Sequence, residues 1–142
     1  MSGSVPAWEI HQALARIAHL ADDGSIDEYL EMFTQDAVWE TPAVAATGVA
    51  ADLRTGRADI GVGAAGRRAC GVQGPGSATR HVITTIEVLA GAAADTAESV
   101  CYFSFYRGTT TEPVLATMGR YDDQWRLSGE GWRLAYRRIT LG

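Results

Sequence analysis

An α+β fold is what the sequence predicts, with N-terminal helices laid against an antiparallel sheet. Three observations point to it. Apolar residues recur at helical spacing near the N-terminus. The C-terminal half is dense in β-branched and aromatic residues, interrupted by short polar turns. Helices come first and strands follow, without the alternation that builds a parallel sheet.

The first helix spans Trp8 to about Ala21. Ile10, Leu14, Ile17 and Ala21 follow the i, i+4, i+7, i+11 spacing that places one apolar stripe on a helix. Asp22-Asp23-Gly24 stops it, with Gly24 suited to a left-handed C-cap. Ser25 and Glu28 form an S-x-x-E capping box, so a second helix starts at once, with Ile26, Tyr29, Leu30 and Phe33 as its buried stripe. Thr34-Gln35-Asp36 is expected to turn the chain. Ala37 to Thr41 reads as a short strand ended by Pro42, and a second short strand is expected near Thr47 to Leu53. Arg57 to about Cys70 has the look of a third helix, weakened by Gly61, Gly63 and Gly66, and Gly71 to Ser77 is a glycine-rich loop. Four long strands follow: Arg80 to Leu89, Glu98 to Arg107, Val114 to Asp122 and Gly131 to Thr140. Short turns between them imply an antiparallel meander.

Composition narrows the functional classes. The chain of 142 residues has the length of one domain, and no linker or internal repeat divides it, so residues 1–142 are read as a single domain. Hydrophobic residues make up 46% and charged residues 20%, which excludes a disordered chain. Twelve basic residues, all Arg, against seventeen acidic ones give a net charge of −5, so no nucleic-acid partner is expected. Cys70 and Cys101 stand apart from any CxxC or Cys/His cluster, so no zinc site is expected. The segment Met1 to Pro6 lacks a basic and then apolar leader, and no run is long enough to span a membrane, so the protein is read as cytoplasmic with free thiols and no membrane partner. There is no GxGxxG after a strand, no GxxxxGK[ST] and no nucleophile elbow.

Four motifs, in order, resemble those of the nuclear transport factor 2-like superfamily and, within it, the SnoaL-like domains. D-x-Y-L-x-M-F-T-Q-D-A-V-W-E from Asp27 to Glu40 resembles the family's helix-to-strand passage. Thr79-Arg80-His81 resembles the "RH" opening its first long strand. Gly119-Arg120-Tyr121-Asp122-Asp123 resembles the "GxYxD" of the third, and Gly131-Trp132-Arg133-Leu134 with Arg137-Arg138 resembles the closing "GWRI…R" strand. The resemblance spans roughly Ile10 to Ile139. It implies a cone: helices packed on a strongly curved, mostly antiparallel sheet enclosing a pocket. It does not by itself imply one reaction, since the fold hosts dehydratases, isomerases, cyclases and non-catalytic binders.

In the dehydratase-like branch, an Asp at the end of the first helix meets a His opening the first long strand. Motif by motif, these positions fall on Asp22 and His81. A carboxylate that accepts an imidazole N–H fixes the tautomer and stabilises the imidazolium. A free imidazole titrates near pH ~6.5, which suits proton transfer near neutrality. Read without the resemblance, Asp22 is an exposed turn residue of the helix stop and His81 a core or edge histidine. His11 and His19 lie off the helical stripe and read as surface residues.

Strand parity suggests the rest of the pocket. His81, Ile83 and Thr85 share one face of their strand. Trp132, Leu134, Tyr136 and Arg138 share one face of the last strand, which makes Arg138 the candidate to hold an oxyanion, although one bulge would exchange it for Arg137. Tyr29, Trp39, Phe103, Phe105 and Met118 are the candidate apolar lining and suit a flat or alicyclic ligand. The bile-acid-dehydratase-like members carry a Tyr five residues before the Asp; here that position is Ile17. Tyr29, Tyr102 or Tyr121 are left as possible phenolic acids. The expectation is a cofactor-independent lyase or isomerase on a hydrophobic carbonyl compound. The alternative is a binding or accessory domain without chemistry. A homodimer through an outer sheet face carrying Val100, Tyr102 and Tyr106 is expected in either case.

Overall fold

A computed structural model describes residues 4–142; Met1–Gly3, where the segment read for a leader begins, lie outside them. Helix α1 (Ala7–Asp23) is followed by the short α2 (Ile26–Glu31) and strand β1 (Phe33–Thr41). Strand β2 (Asp52–Thr55) and helix α3 (Arg57–Ala69) come next. Then run β3 (Thr79–Ala90), β4 (Thr96–Arg107), β5 (Val114–Ser128) and β6 (Gly131–Leu141). One six-stranded sheet has the order β2-β1-β6-β5-β4-β3. All neighbours are antiparallel except β1 and β6, which are parallel. The sheet curves around the helices, so β1 and β3 form opposite walls and β5–β6 the floor between them.

The stripe of α1 turns inward as its spacing requires: Ile10, Leu14, Ile17 and Leu20 are buried against the sheet. Each such side chain stabilises the fold by about 1.5–3 kcal/mol. Below them, Trp125 is buried on β5 and its indole N–H donates to Ser99 Oγ at 2.8 Å, which satisfies the one polar atom the core admits there.

Several local readings change. Gly24 is extended (φ −89°, ψ 170°), not left-handed. A Cβ there would stand 2.6 Å from Leu20 Cδ2 and 3.0 Å from Leu20 Cα, so the last turn of α1 leaves little room for a side chain. The capping box at Ser25 forms, with Ser25 Oγ accepting from the Glu28 N–H at 3.1 Å. Thr34-Gln35-Asp36 is strand, not turn, because β1 begins at Phe33, where the Leu134 N–H already bonds the Met32 carbonyl. The second short strand lies at Asp52–Thr55, later than expected. The segment before it holds a 3-10 turn (Ala45–Thr47) closed by Gly48 at φ 70°. Strand β5 runs six residues beyond Asp122, to Ser128, because the extension pairs with β4 as far as Arg126 and with β6 to its end.

Two bulges decide which side chains face inward. In β3 the register slips between Thr84 and Glu87, and Thr85 takes φ 55°. Thr85 is therefore exposed, and the inward face resumes at Ile86. In β6 the pairing jumps from Leu134–Trp125 to Tyr136–Gln124, leaving Ala135 as the extra residue.

Candidate active site

Asp22 occupies the last turn of α1 and is 4% exposed. A carboxylate at a helix C-terminus opposes the macrodipole and needs compensation. His81 supplies part of it. Its backbone N–H donates to Asp22 Oδ2 at 3.1 Å, and its ring Nδ1 lies 2.7 Å from Asp22 Oδ1. Arg68, from the last turn of α3, supplies the rest by donating to the carbonyl of Gly24 at 2.7 Å and to that of Leu20 at 3.1 Å, which also accepts the Gly24 N–H. The helix end is thus capped by a cation from another helix.

A carboxylate only accepts, so Nδ1 carries the hydrogen of the Asp22–His81 bond. Nε2 has no protein partner among the described residues. The ring packs against Phe105, with centroids 4.6 Å apart, which fixes its tilt.

His81 lines a cavity of about 360 Å³ between α1 and the sheet, while Asp22 stands behind it, out of the cavity. Leu14, Ile17 and Ala18 of α1 form its roof. Tyr29, Trp39, Phe103 and Phe105, four of the aromatics read from the sequence, line it as well. Phe103 stacks on Tyr121 at 4.5 Å and 14°. The stack needs Gly119 beneath it, since a Cβ there would come 2.6 Å from the Phe103 ring.

Other readings move. Arg138 is exposed and points away from the cavity, because the β6 bulge reverses parity after Leu134. Arg137 faces inward in its place, as the bulge alternative allowed. Met118 is 48% exposed, because it pairs with Ser104, between Phe103 and Phe105, and so takes the opposite face. Thr117, opposite Phe105, lines the cavity instead. Trp132 packs against the core below the bulge, outside the lining. Tyr102 lies on the outer face, 42% exposed, and Tyr121 and Tyr29 are the phenols that reach the cavity.

The floor carries a second buried carboxylate. Arg137 donates from Nε and Nη2 to the two oxygens of Asp123, both at 2.8 Å. Its guanidinium lies 3.8 Å above the Tyr121 ring. Burial pushes the Asp123 carboxyl up from its ordinary range, and the Arg137 guanidinium opposes that rise. Burial likewise raises the hydroxyls of Tyr121 and Tyr29, opposed by Arg137 at the first and by Arg67 and Arg137 at the second. Both phenols therefore stay protonated at neutral pH and are available as hydrogen-bond donors. No three His, Cys, Asp or Glu side chains among the described residues come together as a metal site requires.

The sequence did not single out Asp123, Arg67 or Gln73. The doubled Asp in Gly119 to Asp123 was the available signal for the first; the other two lie in segments whose pattern carries none.

Comparison with known proteins identifies the fold. Residues 7–138 match the family profile of the SnoaL-like domain. The chain belongs to the SnoaL-like family, within the NTF2-like superfamily. Solved structures show the same fold at low identity. This SnoaL-like domain is similar to the beta subunit of the benzoate 1,2-dioxygenase from Burkholderia mallei, at 18% identity and a TM-score of 0.76, over 99% of this chain and 93% of that one. An NTF2-like protein with a cystatin-like fold from Novosphingobium aromaticivorans is 22% identical, with a TM-score of 0.74, over 94% and 80% of the two chains. A protein of unknown function with a cystatin-like fold from Nostoc punctiforme is 18% identical, with a TM-score of 0.74, over 95% and 90%. A comparison with curated protein sequences found no match. No helix among the described residues is long and apolar enough to cross a membrane.

Proposed function

We propose that this SnoaL-like domain is a cofactor-independent lyase or isomerase that moves a proton next to a carbonyl of a hydrophobic small molecule. The observation that supports the reading is the 2.7 Å Asp22–His81 pair, with His81 at the wall of an apolar cavity. His81 Nε2 takes the acidic proton. Asp22 holds the Nδ1 hydrogen and stabilises the imidazolium that forms. The electron pair moves onto the carbonyl oxygen, where the Tyr29 and Tyr121 hydroxyls serve as donors, replacing the phenol absent at Ile17. The imidazolium then returns its proton to the departing hydroxyl, giving loss of water, or to a second carbon, giving a double-bond shift. General acid–base catalysis of this kind contributes about 10²–10⁴-fold.

The test is turnover of a panel of enones and β-hydroxyketones by the wild type, His81→Ala and Asp22→Asn. Turnover that His81→Ala abolishes and Asp22→Asn weakens supports the proposal. Binding without turnover in the wild type overturns it in favour of an accessory binding domain, a reading supported by the likeness to a dioxygenase beta subunit. In both readings the domain works in the cytoplasm as a homodimer joined through the outer sheet face, where Val82, Tyr102 and Met118 are exposed. Sedimentation as a monomer would remove the dimer.

A further inference from the structure

The cavity holds a cation that the proton-transfer reading does not use. Arg67, in the last turn of α3, lines it together with Tyr29 and Trp39. Other arginines that are not fully exposed are committed. Arg54 bonds Asp52 and Asp59, Arg57 bonds the Phe33 carbonyl, and Arg68 caps α1. Arg133 bonds the Trp132 carbonyl and lies near Glu130, and Arg137 is paired with Asp123. Arg67 has no carboxylate within ion-pair reach among the described residues. Its Nε donates to a neutral amide oxygen, Gln73 Oε1, at 3.0 Å. Its guanidinium lies 5.3 Å from the centroid of the Trp39 ring. Gln73 and Trp39 thus hold the group in place without neutralising it. The one carboxylate of the mouth, Asp52, is engaged by Arg54 at 3.0 Å.

Topology places this cation across the cavity from the proton-transfer pair. Trp39 lies on β1 and His81 on β3, at opposite sides of the curved sheet. A half-buried guanidinium without a counter-charge, facing an apolar cavity in a chain of net charge −5, is poised to receive an anion.

We propose that Arg67 is an anchor for the carboxylate of the ligand, which makes the substrate class a flat or alicyclic organic acid rather than a neutral ketone. The proposal rests on the acid–base reading of the same cavity and adds its substrate class. The carboxylate sits on Arg67 beside Gln73, the apolar body fills the space under Ile17 and Leu14, and the reacting carbon lies at the His81 wall. A cavity of about 360 Å³ is at the small end of ligand pockets (roughly 300–1,000 Å³), which suits one or two rings.

The experiment compares binding of 2-naphthoate and 2-naphthamide, an acid and a neutral analogue of nearly the same shape, by isothermal titration calorimetry. The wild type should prefer the acid by about tenfold or more, as a charge-assisted contact gives, and the preference should shrink as salt rises. Arg67→Gln should lose the preference while keeping the amide affinity within about twofold, since the apolar contacts remain. His81→Ala should keep the preference, so the anchor is tested whether or not His81 is a base. Equal affinity for the two probes in the wild type, binding of neither at millimolar concentration, or a preference that survives in Arg67→Gln overturns the proposal. Should Arg67→Gln fail to fold by circular dichroism, Arg67→Met decides: it keeps an unbranched apolar stem and removes the charge, so an unchanged preference overturns the anchor. Turnover of neutral carbonyl compounds without any preference for acids would sustain the proton-transfer reading and overturn this one alone.

Discussion

Two buried carboxylates stand behind one cavity, each bonded to a residue that lines it, with opposite consequences. Asp22 shares its hydrogen bonds between the backbone N–H and the ring of His81, and the ring keeps one nitrogen uncommitted. Asp123 spends both oxygens on Arg137, in parallel contacts of 2.8 Å. The first pair contains an imidazole, whose second ring nitrogen can donate or accept. The second contains a guanidinium, which only donates. Under the proposed reading the carboxylate beside the imidazole serves proton transfer, whereas the one beside the guanidinium forms a fixed ion pair that braces the floor. The difference comes from the partner and not from the burial, which is similar: 4% exposure for Asp22 and 3% for Asp123.

The contrast is broken most severely at the floor. Asp123→Asn leaves the Arg137 charge buried without its counter-ion and should cost about 3–5 kcal/mol, read as a fall in the urea midpoint. Replacing both members, Asp123→Leu with Arg137→Met, should recover most of that loss, because the desolvation cost disappears with the pair. A pair whose double replacement stays as unstable as the single one would not be a structural brace.

His81→Ala should be milder, about 1–2 kcal/mol by the same titration, since Asp22 keeps the backbone N–H bond and gains water from the enlarged cavity. A loss as large as that of Asp123→Asn would make the two pairs equivalent in stability and remove the distinction between device and brace.

The thiols report how dry each region is. Cys101 is buried near Asp123 and Arg137, and burial pushes its thiol up to about 12, while Cys70 is exposed. Native protein should therefore be alkylated at Cys70 alone at mildly alkaline pH. The raised value means the folded state keeps the Cys101 proton after the unfolded chain has lost it. Stability is then full below the unfolded value, near ~8.5, and falls by about 1 kcal/mol per pH unit towards 12. Denaturant titrations of Cys101→Ala, whose slope in that window should be shallower, check the assignment.

The smallest effect belongs to the exposed pair beside Asp22. Arg80 contacts Asp23 at 2.9 Å, with both side chains more than half exposed, and solvent screens them. Arg80→Ala should leave the thermal midpoint unchanged within error. A clear fall would mean that Arg80 helps to hold His81, its neighbour on β3.

Much of this was legible before any coordinates. The helical stripe from Ile10 to Ile17 and the β-branched runs of the long strands have periods that leave few ways to bury them. The Asp22–His81 meeting was implied by motif order, because a helix end and a strand start keep their places when the fold is kept. What the pattern misplaced lies beyond irregularities. Thr85, Arg138 and Met118 were assigned faces by unbroken alternation or by aromatic company. Single extra residues at Thr85 and Ala135 reverse the count, and the β4–β5 register puts Met118 opposite Ser104.

Local spacing determined the helices and the four long strands, since those depend on residues near one another in sequence, while the resemblance of motifs in a fixed order pointed to Asp22 and His81 as partners. The tertiary structure alone decided which of two adjacent arginines enters the cavity, that Arg68 caps a helix formed more than forty residues earlier, and that Arg67 stands unneutralised across from His81. Bulges and cross-sheet proximity are set by the packing of strands distant in the chain, and a charge pattern read along one segment contains neither.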